Sequence, residues 1–203
     1  VRLSGCNLRC GWCDTPYASW KPEGQRRTLE DLAREARASR ASHAVVTGGE
    51  PMMFEEVGEL TAALRDAGMH VTIETAGTIY REVHADLMSL SPKLANSAPP
   101  EDSGWRERHE QRRTNLDALQ RLIDAHAERQ LKFVVSEPED LPEIEALLGR
   151  LRGWSAGDVM LMPEGVTAEA LASRDWIAGA CAERDWRMSP RLHIVLFGNQ
   201  RGV

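Results

Sequence analysis

The chain has 203 residues, 42% of them hydrophobic, enough for one sizeable core and too little for three or more domains. Its 25 Lys and Arg against 31 Asp and Glu leave a net charge of −6, without the broad basic field that gathers nucleic acid, so no nucleic-acid partner is expected. The longest apolar runs, such as residues 194–197, fall far short of the roughly 20 residues a membrane span requires, and Val1-Arg2-Leu3-Ser4-Gly5 is not a secretory leader, so a cytoplasmic, reducing setting without disulfides is expected.

Short β-branched bursts alternate with longer amphipathic stretches, the pattern of strand and helix in turn. The first strand is expected at 1–3 and runs straight into cysteines. With no initiating Met and no room for an earlier element, an amino-terminal segment is expected to be missing. A helix begins after Thr28, whose hydroxyl caps the run Leu29, Leu32, Ala33 and Ala36, with Asp31 placed for a capping box. A strand at 43–47 is followed by a helix at 55–67 that Gly68 ends. Strands at 70–74 and 86–90 come next, then a polar stretch, 91–113, that reads as a long loop. A helix at 114–127, strand at 131–135, helix at 140–151, strand at 159–162, helix at 168–184 and strand at 192–197 complete the chain. Strands joined by crossover helices imply a mostly parallel α/β sheet, open or wound into all or part of a barrel, and a single domain over 1–203. In such folds ligands sit where the loops after the strands converge. Those loops are small, polar and glycine-rich: Ser4-Gly5-Cys6, Gly48-Gly49-Glu50-Pro51, Thr75-Ala76-Gly77-Thr78, Ser91-Pro92-Lys93, Pro163-Glu164-Gly165 and Gly198-Asn199-Gln200-Arg201.

Cys6, Cys10 and Cys13 form C-x3-C-x2-C, while Cys181 lies far downstream in an expected helix. Three thiolates on one loop suit a 4Fe-4S cluster with one iron left open to a small molecule. A structural zinc would need a fourth ligand, from Cys181, His43 or another histidine, and stays open as an alternative. A disulfide would leave one cysteine over. Cys181 reads as a buried small hydrophobe.

The C-x3-C-x2-C segment, with Trp12 before its last cysteine, resembles the signature of the radical S-adenosylmethionine enzymes. Gly48-Gly49-Glu50-Pro51 after the next strand resembles their second signature. A narrower resemblance, covering nearly the whole chain, rests on Arg2-Leu3-Ser4-Gly5-Cys6, Cys13-Asp14-Thr15, Glu74 to Thr78, Ser91-Pro92-Lys93, Pro190 to His193 and Phe197 to Val203. These segments look like the 7-carboxy-7-deazaguanine synthase family, lyases that convert 6-carboxy-5,6,7,8-tetrahydropterin to 7-carboxy-7-deazaguanine with loss of ammonia, on the route to queuosine and other 7-deazapurines. The resemblance implies a partial, modified TIM-type barrel, a homodimer, and three cofactors: a 4Fe-4S cluster, S-adenosylmethionine and Mg²⁺. It also implies an external redox partner such as a flavodoxin. The family's Q-G-E-G segment, which precedes the cysteines and touches the pterin, is not in the chain.

Carried over by resemblance, Cys6, Cys10 and Cys13 hold the cluster. S-adenosylmethionine is met by Trp12, Cys13 and Asp14, by Gly48, Gly49 and Glu50, by Ser91, Pro92 and Lys93, and by Met162, Pro163, Glu164 and Gly165. Thr15 offers Mg²⁺ a hard oxygen, and Arg2, Thr47, Glu74, His193 and the Val203 carboxylate meet the pterin. The mechanism it implies is hydrogen abstraction from the pterin by a 5′-deoxyadenosyl radical, then ring contraction. Plainer readings stand beside these: Trp12 as an apolar plug, Thr15 as a turn residue before Pro16, Lys93 as a solvated ammonium, His193 as a satisfied core histidine. Two rival functions remain, a radical S-adenosylmethionine activase acting on a protein glycine and a non-catalytic zinc or iron-sulfur module.

Overall fold

The computed structural model describes residues 1–201. Seven strands lie in one sheet in chain order: β1 (Arg2–Leu3), β2 (His43–Gly48), β3 (His70–Thr75), β4 (Leu87–Leu90), β5 (Arg129–Val135), β6 (Val159–Pro163) and β7 (Arg187–Met188). Every neighbouring pair is parallel. Strand order equal to chain order is the winding of a TIM-type barrel, and among the described residues β1 and β7 do not pair, so the barrel is partial.

The strands' two faces go to different environments because side chains alternate along an extended chain. Val46, Val71, Ile73, Met88, Leu90, Leu131, Phe133, Val135, Val159 and Leu161 point outward and are buried under helices. Those helices are α1 (Leu29–Ala38), α2 (Val57–Asp66), α3 (Arg106–Arg113), α4 (Leu116–Ala125), α5 (Leu141–Leu148), α6 (Ala168–Ala172), α7 (Trp176–Arg184) and α8 (Leu192–Phe197). Leu60, Leu64, Leu119, Leu122, Ile144, Leu148 and Ile177 supply their side of the core. The intervening residues, Val45 and Thr47, Glu74, Lys132 and Val134, and Met162, face inward and line a cavity. The core is therefore a shell around the sheet, and the concave side is left for a ligand.

The expected boundaries hold best where a cap sets them. Thr28 Oγ1 accepts the Asp31 N–H at 3.1 Å, while the Asp31 carboxylate pairs with Arg34, so the capping box is half formed. Gly68, with φ +81°, donates to Arg65, and Met69 donates to Leu64, which together close α2 as a Schellman motif.

Four expectations are corrected. Residues 192–197 are the helix α8, with the Ile194 and Val195 N–H groups both bonded to the Arg191 carbonyl. A short, largely apolar run is ambiguous between strand and helix, and the last strand of the sheet is instead β7, a two-residue strand too short to show a pattern. The stretch 91–113 contains α3, whose residues are all charged or polar and bury only His109, so no apolar period marks it. The helix expected over 168–184 breaks into α6 and α7 where the Ser173 hydroxyl bonds back to the Ala170 carbonyl. Finally, β3 reaches β4 through residues 76–86 without a crossover helix.

Candidate active site

A cavity of about 1180 Å³ opens at the carboxyl ends of the strands. Its roof is the cysteine loop, which backbone bonds anchor on several sides. Gly5 donates to Ala18, Glu50 donates to Gly5, and Gly11 donates to Ser97, at 2.9, 2.8 and 3.0 Å, while the Trp20 indole donates to the Cys10 carbonyl at 3.0 Å. Gly48 and Gly49 are required by this packing. A Cβ on Gly48 would stand 2.0 Å from the Leu3 carbonyl oxygen, and one on Gly49 would stand 2.1 Å from that of Gly5. What a side chain would strike is the protein's own cysteine loop.

Cys6, Cys10 and Cys13 all line the cavity as free thiols. Burial pushes the Cys6 thiol up to about 11 and the Cys10 thiol up to about 12. Both are thus protonated at neutral pH until a cationic partner draws out the thiolates. Two of the possible fourth zinc ligands are out of reach. Cys181 is buried on α7, its thiol bonded to the Arg187 carbonyl at 3.3 Å, and His43 stands at the opposite end of β2; neither lines the cavity. Among the described residues, no three His, Cys, Asp or Glu side chains gather closely enough to hold a single metal ion.

Of the other residues expected at the site, Arg2, Trp12, Asp14, Thr15, Thr47, Gly48, Gly49, Glu74, Ser91, Lys93, Met162 and His193 line the cavity. Glu50 does not. Fully buried, it lies behind the wall residues Thr75 and Ala76: Oε1 accepts from the Met52 N–H at 3.0 Å and from the Thr75 hydroxyl at 2.6 Å, and Oε2 from the Ala76 N–H at 2.8 Å. It ties the loops after β2 and β3 together. Pro92, Pro163, Glu164 and Gly165 also lie outside the wall. The Pro163 carbonyl accepts from the Arg191 Nε, Glu164 pairs with Arg174 at 2.7 Å, and Gly165 turns the chain against Ala170. Val203 falls outside the described residues.

Among the wall residues that were not anticipated are two charged ones. Arg191, only 4% exposed, bonds Asp14 at 2.8 Å and so latches the segment before α8 to the cysteine loop. Lys132 sits 3.3 Å from Glu74, which also accepts from the Thr47 hydroxyl at 3.0 Å. A charge amid the apolar run of β5 was the signal for Lys132; Arg191 lies in the segment Pro190 to His193 that carried the resemblance, but its partner Asp14 is far away in sequence.

Burial pushes the Glu74 carboxyl upward, but Lys132 and the Thr47 hydroxyl outweigh it and hold the carboxyl below its ordinary value of 4.5. A depressed folded pKa contributes stability that is present above the ordinary value of 4.5 and lost below it, as the pH falls through the lower folded value. Lys132→Met is therefore expected to lower the urea midpoint near neutral pH, and the gap from the parent should narrow below 4.5. A gap that stays constant with pH would contradict the assigned pair.

Two other cations of the cavity make no salt bridge among the described residues. Lys93 bonds the Ser91 carbonyl and hydroxyl, both at 2.9 Å, and stands 5.7 Å over the Trp12 ring at the cysteine end. Arg2, on the strand beside Thr47, has no carboxylate partner among the described residues. The cavity thus joins three thiols at one end with two cations that make no direct ion pair among the described residues.

The family model described as the Radical SAM superfamily matches residues 1–123. A 7-carboxy-7-deazaguanine synthase of Rhodopirellula baltica is 45% identical over all of this chain and 80% of its own length. The enzyme of the same name from Halobacterium salinarum is 42% identical, over 98% of this chain and 82% of its own. In fold, the chain is similar to the crystal structure of QueE from Escherichia coli, with a TM-score of 0.68 and 24% identity, covering 94% of this chain and 83% of that one.

Proposed function

Because the chain belongs to the Radical SAM superfamily and, within it, to the 7-carboxy-7-deazaguanine synthases, we propose that it contracts 6-carboxy-5,6,7,8-tetrahydropterin to 7-carboxy-7-deazaguanine with loss of ammonia. The observation that carries this reading is the pairing, in one large cavity, of three cysteines with two cations that make no direct ion pair among the described residues. The reaction brings two carboxylates together, one on S-adenosylmethionine and one on the pterin, and each needs a cation.

The donor set fits the cluster. Three soft thiols lie on one loop with no fourth thiol in the cavity, and they do not converge upon a point as a single zinc would require. Cys6, Cys10 and Cys13 would hold a 4Fe-4S cluster, which with S-adenosylmethionine supplies reductive cleavage of a sulfonium and a carbon radical able to abstract hydrogen.

The chain's own residues do the placing. Lys93, oriented by Ser91, takes the methionyl carboxylate, and the carbonyl rim at Gly48 and Gly49 takes the ammonium. Trp12 and Met162 flank this cofactor, and Asp14, held by Arg191, keeps the loop beside it in register. Arg2 forks onto the pterin carboxylate. Glu74, kept ionised by Lys132, accepts from N–H groups on the pterin edge, with Thr47 and His193 beside it. The Thr15 hydroxyl lines the same wall and is the hard oxygen that would help hold Mg²⁺, which would supply charge stabilisation there.

The working protein is read as a single domain over 1–203 acting as a homodimer in the cytoplasm. The exposed apolar face of α8, Leu192, Val195, Leu196 and Phe197, supports the dimer. A flavodoxin-type carrier would supply the electron.

The test is anaerobic incubation of the iron-loaded protein with S-adenosylmethionine, reductant, Mg²⁺ and the carboxypterin. Deazapurine is the expected product, whereas 5′-deoxyadenosine alone would overturn the substrate. Arg2→Met is expected to raise KM for the carboxypterin roughly 10-fold or more, the cost of one lost charge-assisted hydrogen bond, with S-adenosylmethionine affinity unchanged. Lys93→Met is expected to reverse that pattern.

A further inference from the structure

The cysteine loop has an outer face as well as the one turned to the cavity. Asn7, next to Cys6, lines a separate groove of about 490 Å³ with Gln111, Arg112, Thr114 and Arg150. One residue thus separates this groove from a thiol of the cavity.

The groove continues onto a basic surface. Arg9 and Arg108 both stack on the Trp105 ring, at 4.2 and 4.7 Å, and Arg9 also bonds the Cys6 and Leu8 carbonyls at 2.7 Å. Arg108 and Arg112 are four residues apart on α3 and so share a side of it. Among the described residues, Arg9, Arg108, Arg112 and Arg150 have no carboxylate partner. In a chain of net charge −6, four such arginines on one surface set up a local field of the opposite sign.

This surface is also fixed rigidly to the loop. His109 of α3 is fully buried: its Nδ1 accepts the Arg9 N–H at 3.2 Å, and its Nε2 meets the Ser97 hydroxyl at 2.9 Å. Ser97 in turn holds Gly11 through its carbonyl. A partner seated on α3 is therefore held against the segment that carries Cys6 and Cys10.

We infer that the arginine face of α3 and the adjoining groove form the docking surface for an acidic one-electron carrier protein. The inference rests on the reading that these cysteines hold a cluster which must be reduced from outside. The step moves one electron and no atoms: the carrier is oxidised by one electron and the cysteine-bound cluster reduced by one. Charge complementarity selects an acidic partner, and the field accelerates its encounter.

The test uses the full chain loaded with iron and sulfide, with Arg108→Glu and Arg112→Glu combined. Both side chains are exposed, so the fold should survive, and the milder pair R108A and R112A guards against misfolding. Cluster bleaching is followed by stopped flow with two donors, a fully reduced acidic flavodoxin and photoreduced deazariboflavin, which is small. The charge reversal should slow the flavodoxin reaction about 10-fold or more at low ionic strength, and its salt dependence should largely vanish. The alanine pair should show an intermediate loss, and the deazariboflavin rate should not move. An unchanged flavodoxin rate overturns the docking surface. A parallel fall with deazariboflavin overturns it too, since the arginines would then act on the cluster itself. Failure of the parent chain to take up iron would instead sink the underlying functional reading, and the docking surface with it.

Discussion

Cys10→Ala is expected to strip the protein of its cluster and take deazapurine formation to background, the largest single effect any substitution in the chain should have. Cys10 is almost fully buried, and that burial raises its thiol to about 12, so an uncharged ligand would leave it protonated and indifferent. Only a cationic, thiophilic group repays the loss of those protons. With alanine there, two thiols remain on a loop built for three, and the chemistry that needs the open iron has no source. The fold should be spared, because the change removes one sulfur from a loop held by backbone bonds at Gly5, Gly11 and Glu50. The expected result is therefore specific: a thermal midpoint of the metal-free protein close to the parent's, together with loss of the reconstituted iron, sulfide and EPR signal. An alanine variant that still took up a full complement of iron and sulfide would contradict the ligand assignment.

Glu50→Ala should do the opposite, damaging the fold first. Three donors converge on that carboxylate, the Met52 and Ala76 N–H groups and the Thr75 hydroxyl, all from buried residues. Each buried donor left unpaired costs about 1–3 kcal/mol, so a loss of about 3 kcal/mol or more is expected, a large share of the roughly 5–15 kcal/mol of a typical domain. Burial itself pushes the Glu50 carboxyl upward, and the donors oppose it by favouring the ionised form. Glu50→Gln keeps the shape but sets an amide N–H against donors, so it should fall between parent and alanine. Urea unfolding of the metal-free protein measures both. If Glu50→Ala left stability unchanged and weakened only S-adenosylmethionine binding, the carboxylate would be a ligand contact and the structural role given to it would fail.

Much of the site was legible before any coordinates because its signal is local. The spacing Cys6, Cys10, Cys13, the pair Gly48-Gly49 and the Ser91-Pro92-Lys93 turn each lie within a few residues, and each follows a strand end where parallel folds place ligands. The reading failed where the decisive contact is distant or the apolar period is missing. Helix α3 buries one histidine, so periodicity had nothing to register, yet it braces the cysteine loop from behind. Helix α8 was mistaken for a strand because a short, largely apolar run fits either form. Glu50 sits in the expected motif, and the structure adds that its carboxylate accepts from the Ala76 N–H of the neighbouring loop.

What the order of residues determined by itself is the family and the candidate donors: three thiols at fixed spacing, and the polar, glycine-rich loops at the ends of the strands. Residue type and short spacing are one-dimensional properties, so they survive without coordinates. What folding decided is which charges are spent and which remain available. Arg191 is neutralised by Asp14 across 177 residues, and Lys132 by Glu74 across 58, while Arg2 and Lys93 keep their charge facing the cavity. Whether an ion is free is a matter of distance in space, and no pattern along a chain encodes it until the sheet has curled and brought its edges to the same opening.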